Sequence, residues 1–486
     1  MRSGAGAHTR TGLILTVACI AQFMVVLDVS VVNVALPTIQ GSLHYSPSGL
    51  QWVVNAYVLT FAGFLLLGGR AADVFGQKKI FLLGLVIFTG ASLAGGLATD
   101  STWLTTARAV QGFGGAILSP ATLTIIVTTF SGPKLARSIG MWSSVAGAGG
   151  ATGALLGGIL VTELSWRWVL FVNVPIGAVL AFMAVTWLPE HRRTADARTI
   201  DYTGAILVTA GLSVAVYGIV NTTSYAWGSA RTIVTLAIGV ALLLAFFIVE
   251  TRVVEVPLLP MRFFRSRAAS GANVVMLLIG AAFFSMWYFL TLFMQFVLGY
   301  SALKTGLAFL PQSVAIIIGA QTASRLVSKV GPRRIIGCGT VFAAIGMWWL
   351  SRLPATGNYY AHVLPPMMLV SLGLGLCIVP VTVAATMGVD RKEAGLASGL
   401  VNTTRQVGGA LGLAALATIA TDRSRGLRTA VALSSGFDRA FLAGGFIAVV
   451  GGLLALTLPG RNAHVAAVEQ SARDHSAPPQ PAVAEH

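Results

Sequence analysis

A chain of 486 residues that is 55% apolar, only 10% charged and has a mean hydropathy of +0.80 cannot meet water with a polar surface on every side. Soluble domains carry about 25% charged residues, so a water-soluble enzyme or regulator is excluded. The net charge of +16 does not point to nucleic acid, because the basic residues fall in short clusters between apolar runs rather than along one face.

A membrane-spanning helix needs about 20 mostly apolar residues. In chain order the candidates are 12–36, 51–69, 80–98, 104–128, 139–162, 168–188, 203–220, 232–249, 269–298, 305–324, 335–350, 364–387, 394–420 and 438–458, which makes fourteen. The narrowest separations are 163–167 and 299–304. The first run is too long for a signal-peptide core and is read as a span. Fifty-five glycines suit a bundle in which small residues let helices approach closely. Cys19, Cys338 and Cys377 lie in apolar stretches without CxxC spacing, so neither a disulfide framework nor a metal site is expected.

Charge orients the spans. With the N-terminus in the cytoplasm, 22 of the 32 basic residues fall in inward segments, eight in outward ones and two, Arg108 and Arg405, inside spans. The positive-inside rule then puts both termini in the cytoplasm. Segment 421–439 disagrees, with four arginines outside; it is a tolerated exception or the last span is misplaced. An even count gives two six-helix halves, 12–188 and 251–459, separated by a 189–250 linker with spans 7 and 8 and flanked by a short 1–11 start. The 460–486 tail, rich in Ala and Pro, is expected to be disordered. Span 2 ends in a Gly-Arg-Ala-Ala-Asp-Val-Phe-Gly-Gln-Lys-Lys turn and span 10 in Ser-Lys-Val-Gly-Pro-Arg-Arg, an echo between the halves. Repeated halves with a binding site between them at mid-membrane are the architecture of alternating-access transporters.

The acidic census bears on mechanism. Of sixteen carboxylates, fifteen fall in loops, at span ends or in the tail, and only Asp28 lies well inside a span. An ionisable group at that depth is functional by default. Asp28 is nine residues inside Pro37, about 14 Å, and Arg108 some six residues inside its own outer end, about 9 Å. The two are at compatible depths, either as a proton-coupling pair or as a permanent structural ion pair. Arg405 completes a substrate cavity or caps a helix break near Gly408 and Gly409. With Asp28 protonated, two arginines leave a cavity positive and favour anionic, zwitterionic or neutral cargo over dications. Tyr57, Gln111, Trp287, Gln295, Asn402 and Arg405 are candidates for the cavity lining.

Two motifs carry a family resemblance. Residues 69–82 read G-R-A-A-D-V-F-G-Q-K-K-I-F-L, which resembles the loop signature of the major facilitator superfamily at Gly69, Ala72, Asp73, Gly76, Lys78 and Leu82 and departs at Ala71, Val74 and Gln77. Its glycines permit a tight turn, and Asp73 can hold one conformation shut. In span 5, Gly140, Gly149, Gly153, Gly157 and Gly158 match the superfamily's antiporter motif at every glycine, with Ala154 replacing its proline. Gly149, Gly153 and Gly157 share a face that can groove a partner helix. The stretches 27–37, 166–177 and 394–406 resemble the fourteen-span drug:proton antiporters within that superfamily. The resemblance, from about residue 12 to 458, implies an all-α major facilitator fold with two six-helix bundles and two inserted helices. It also implies proton coupling through Arg108, Gln111 and Gly112, the family's Arg-x-x-Gln-Gly pattern.

The function expected is proton-coupled export of a drug, antibiotic or secondary metabolite, with uptake or lipid-like transport as the alternative. No HExxH, Walker loop, GxSxG or appended soluble domain supports an enzyme or sensor. The expected partners are small molecules, protons and lipid, without nucleic acid; no cofactor is expected beyond the proton gradient, and a monomer suffices. Twenty-six arginines against six lysines suggest a GC-rich bacterial genome and hence a plasma membrane.

Overall fold

The computed structural model describes residues 3–130, 132–189, 201–222, 225–254, 257–258, 266–387, 394–424 and 429–458. The 460–486 tail, and the side chain of Asp73 in the expected gate loop, lie outside the described residues.

Among the described residues the elements are helices, joined by short turns. The first group is α1 (Ser3–Ser42), α2 (Trp52–Phe75), α3 (Gln77–Gly96), α4 (Ser101–Thr129), α5 (Gly132–Glu163), the single turn α6 (Trp168–Phe171) and α7 (Asn173–Trp187). A hairpin of α8 (Tyr202–Asn221) and α9 (Ala230–Arg252) follows. The second group is α10 (Arg267–Leu292), α11 (Ala302–Ala308), α12 (Leu310–Val330), α13 (Pro332–Leu350), α14 (Leu364–Thr386), α15 (Ala394–Ser424) and α16 (Ala430–Ala455). Short π-helical turns at Phe293–Val297 and Tyr359–Val363 extend α10 and precede α14. Eleven of the described helices or helix runs are long and apolar enough to cross a membrane. The 32-residue α5, 19-residue α13 and 31-residue α15 occupy the places of the fifth, eleventh and thirteenth expected spans.

Helix ends follow local chemistry. Asp100 caps α4 by accepting from Trp103 N–H, and Ser229, Ser266, Ser301 and Thr429 cap α9, α10, α11 and α16 in the same way. The turn between α2 and α3 is one residue, Gly76, with φ 99° and ψ 133°. The turn between α12 and α13 is again one glycine, Gly331, with φ 87° and ψ 154°. Only glycine takes this backbone region without strain, so the echo between the two basic turns is an echo of geometry.

Within the first group α1 packs on α5, and α4 on α2 and α3; within the second, α15 and α16 pack on α10, and α14 on α12 and α13. The α8–α9 hairpin sits outside, with α8 against α2 and α15. Only 11% of the apolar window of α9 is buried, a surface suited to lipid.

Two boundaries correct the sequence reading. α1 does not stop at Pro37 but runs through it to Ser42. Pro37 lacks the N–H that would bond the Asn33 carbonyl, and side chains of α10 and the adjoining π turn bond this stretch of α1, as described below. The last helix begins at Ala430, not 438, so Asp438 and Arg439 lie within it and Asp28 is not the lone in-span acid. Two polar residues that disguised the start bond one turn: Ser434 Oγ donates to Leu353 O (2.9 Å), and Asp438 accepts from the Leu353 backbone while its Oδ1 is left buried without a partner among the described residues.

Gly76→Ala is expected to lower the melting temperature of the detergent-purified protein, since a Cβ in this region stores about 1–3 kcal/mol of strain. Gly69→Ala serves as the comparison: its Cβ would meet Pro120 Cβ at 3.7 Å, ordinary contact, and its melting temperature should not change.

Candidate functional site

Among the described residues Asp28 bonds no side chain of its own helix, and its charge is met from two others, α4 and α7. Arg108 Nη1 of α4 donates to Asp28 Oδ2 at 2.6 Å, the only ion pair among the described residues. Gln111 Nε2, one turn further along α4, donates to Oδ1 at 2.7 Å, and Asn173 Nδ2 at the start of α7 donates to the same oxygen at 2.8 Å. Ser92 of α3 closes the back of the site. Its Oγ accepts from Gln111 (3.1 Å) and Asn173 (3.0 Å) and donates to Leu170 O (2.8 Å). The guanidinium also donates to Gln111 Oε1 (2.6 Å) and Val53 O (3.2 Å) and lies 4.3 Å over the Tyr57 ring. Asp28, Gln111, Asn173 and Ser92 are 0% exposed and Arg108 2%. An ion pair so far from water persists only with its remaining donors and acceptors satisfied, which the two amides and the serine accomplish.

The glycine face of α5 receives α1 beside this cluster. A Cβ on Gly149 would sit 3.0 Å from Phe23 O, on Gly153 2.8 Å from Leu27 O, and on Gly157 2.9 Å from Val31 O. Ser30 Oγ adds a hydrogen bond to Gly150 O at 2.6 Å. The stretch of α1 that bears Asp28 is thus seated closely against α5, with the short Ser30 side chain between Gly150 and Gly153. Gly140 departs from the expectation: it is exposed, and a Cβ added there would meet nothing within 4 Å, because the packed glycines lie further along the helix. Gly158 faces the other half, where its Cβ would be 2.6 Å from Leu303 Cα. Gly306 is correspondingly pressed against Ala154 O, at the position of the motif's missing proline.

The two halves also meet by hydrogen bonds at the face the charge rule assigns to the outside. Asn33 Nδ2 donates to Thr291 Oγ1 (2.8 Å), Gln295 Nε2 to Val34 O (2.8 Å) and Leu303 N to Thr162 Oγ1 (3.3 Å). Towards the opposite face, the last three turns of α12 expose Gln321, Ser324, Arg325 and Ser328.

The predicted cavity residues separate into three places. Tyr57 of α2 and Gln111 of α4 are buried in the Asp28 cluster and line neither described cavity, and Arg108 is equally buried. Gln295 belongs to the contact between halves and borders a cleft of about 410 Å³ at the expected outer face. Trp287, half-buried, stacks edge-on with Phe309 and leaves its indole N–H without a partner among the described residues. Asn402 and Arg405 are together, with Nη2 donating to Oδ1 at 2.8 Å, and are partly exposed. No helix break occurs at Gly408 and Gly409, which lie inside α15, so Arg405 does not cap one. In the gate loop Lys78 Nζ donates to Val185 O at 2.8 Å, tying the turn to α7. Close packing there falls to Gly68, pressed on Ala116 O, and not to Gly69. Sequence reasoning did not single out Ser92, Asn173, Asn33 or Thr291. The available signal for Asn33 and Asn173 was an amide set in an apolar run, where polar groups seek partners.

Comparison with known proteins agrees with this architecture. Residues 18–413 match the sequence profile of the Major Facilitator Superfamily. A cephamycin export protein of Amycolatopsis lactamdurans is 44% identical over 431 residues, 88% of each chain. A puromycin resistance protein of Streptomyces alboniger is 43% identical over 84% of this chain and 81% of its own. Among solved structures, the nucleoside transporter NupG superposes with a TM-score of 0.66 at 11% identity, covering 91% of this chain and 99% of its own. A bacterial homolog of the human lysosomal transporter Spinster, inward-facing and unoccupied, gives 0.64 at 14% identity over 95% and 98%.

Asn173→Ala should cost about 1–3 kcal/mol of stability, because it strips a buried oxygen of one donor. A denaturation midpoint in detergent identical to that of the parent would contradict the role given to this amide.

Proposed function

The chain belongs to the major facilitator superfamily, and from that premise we propose that it is a fourteen-span, proton-coupled exporter of small organic molecules. It sits in a bacterial plasma membrane with both termini in the cytoplasm, and works as a monomer driven by the proton gradient with no bound cofactor. Membership makes it a multi-pass transporter of small molecules and not an enzyme. The direction rests on relatives named for export or resistance, including a tetracenomycin C resistance and export protein of Streptomyces glaucescens at 33% identity.

The observation that carries the coupling is the three-donor cradle around Asp28. A carboxylate accepts from Arg108, Gln111 and Asn173 at once; a protonated one carries a hydrogen that must itself be donated. Proton uptake adds a hydrogen that must find an acceptor within the cluster, and the Arg108 contact loses its Coulombic attraction. The Asp28 segment of α1 lies on the α5 glycines, and five residues further Asn33 bonds Thr291. A shift in that segment reaches the contact between halves along one helix. With that contact made and the far end of α12 exposed, the conformation is read as inward-facing. Substrate enters from the cytoplasm beside Arg405, Asn402 and Trp287, and proton binding from outside resets the carrier after release.

Asp28→Asn keeps the shape and removes the titration. It is expected to abolish efflux driven by a pH gradient in proteoliposomes, while substrate counterflow at equal pH and membrane abundance persist. Undiminished gradient-driven efflux by this variant would sink the assignment.

A further inference from the structure

Arg405 is the second cation the sequence places inside a span, and it meets no carboxylate among the described residues. It stands eleven residues into the 31-residue α15, about 17 Å from that helix's start at 1.5 Å per residue. An uncompensated guanidinium near mid-membrane is unfavourable on every scale and is kept for function. The described in-span acids are engaged elsewhere: Asp28 with Arg108, and Asp438 with the Leu353 backbone near the expected outer end of α16.

The surroundings have the form of a binding point. The Arg405 backbone is fixed, because Gly280 of α10 lies against its carbonyl. Asn402, one turn away, takes a single N–H of Nη2, leaving most of the five-donor fork free. One turn outward the Phe284 ring covers Gly409, and about 10 Å beyond Gly280 along α10 Trp287 holds a buried indole N–H without a partner among the described residues. A planar fork with free donors matches a carboxylate in bidentate fashion, and aromatic faces beyond it suit an apolar body.

Resting on the transporter reading above, we propose that Arg405, held by Asn402, binds the single negative group of the cargo, which is an aromatic or apolar monocarboxylate. Because Arg108 is buried against Asp28, Arg405 offers the cargo one positive charge and not two, which matches a cargo charge of minus one. One proton inward against one monoanion outward moves two charge equivalents per cycle, so export is accelerated by an inside-negative potential. A monocation exchanged one for one would be electroneutral.

The full chain, purified, is tested with an isosteric set: 1-naphthylacetate, 1-naphthylacetamide and (1-naphthylmethyl)trimethylammonium, with binding followed by tryptophan fluorescence. The parent should bind the acid most tightly. Arg405→Gln should weaken acid binding by about ten- to hundred-fold, the loss expected for hydrogen bonds to a charged group, and leave the amide unchanged; Arg405→Lys should recover part of the loss. Equal binding of acid and amide by the parent, no saturable acid binding, or a parallel loss of both in Arg405→Gln overturns the inference. The parent comparison needs no variant, so a poorly folding Arg405→Gln does not shield it. In proteoliposomes a valinomycin-set inside-negative potential should speed gradient-driven export of the acid, and an unchanged rate counts against it. Binding of the acid without any proton-driven flux would refute the coupled-export reading but leave the site standing. Preferential export of the amide or cation would do the reverse.

Discussion

A carboxylate removed from water must be met by donors in fixed positions, and in this protein that requirement organises half of the bundle. Asp28 draws Arg108 and Gln111 from α4 and Asn173 from α7, with Ser92 from α3 closing the cluster. Four helices are thereby set in rotation and height relative to one another, since an error in any of them leaves a buried polar atom unpaired at a cost of about 1–3 kcal/mol. A dry apolar packing would stabilise as well but would not fix the four helices by directional bonds. The cluster makes structural sense and functional sense by the same bonds.

The second constraint is how the Asp28 segment is held. Between Phe23 and Val31 α1 lies on the glycines of α5 with backbone close to backbone, and the one side-chain hydrogen bond recorded there, Ser30 Oγ to Gly150 O, fixes its register. The same α5 helix turns Gly158 to the opposite half, and Gly306 returns the approach at Ala154. The replacement of the motif's proline by alanine thus falls at the contact between halves, where the Ala154 carbonyl is in contact with Gly306.

Much of this was legible in the sequence, and what was not has a common cause. Apolar length located the helices, and the depth of two charges along their spans was enough to pair Asp28 with Arg108. Four-residue glycine spacing showed that α5 had a groove. Rotation about the helix axis was not legible: Tyr57 and Gln111 look like cavity residues until α4 and α2 are packed, and Gly140 looks like part of the groove until α1 is placed. Two local signals also misled. Pro37 reads as a helix end, but bonds from Gln295 and Asn33 across the halves support the helix where its ladder is weakened. Asp438 and Arg439 read as loop charges, yet the Leu353 turn supplies the acid's partner inside the helix.

The energies involved fit a carrier that must change state on every cycle. Among the described residues four hydrogen bonds close the halves at the expected outer face, joining Asn33 to Thr291 and to Trp287 O, Gln295 to Val34 and Leu303 to Thr162. At about 0.5–1.5 kcal/mol each they sum to a few kcal/mol. A proton moving down one pH unit supplies about 1.4 kcal/mol, the same order. Had salt bridges between buried partners sealed this seam, breaking one would cost about 3–5 kcal/mol, and a single protonation could not open it. Among the described residues the only buried ion pair lies inside one half, and the seam is left to small residues and neutral hydrogen bonds. Strong contacts thus lie within one half and weaker ones at the seam, a distribution under which the halves can part while the Asp28 cluster stays whole.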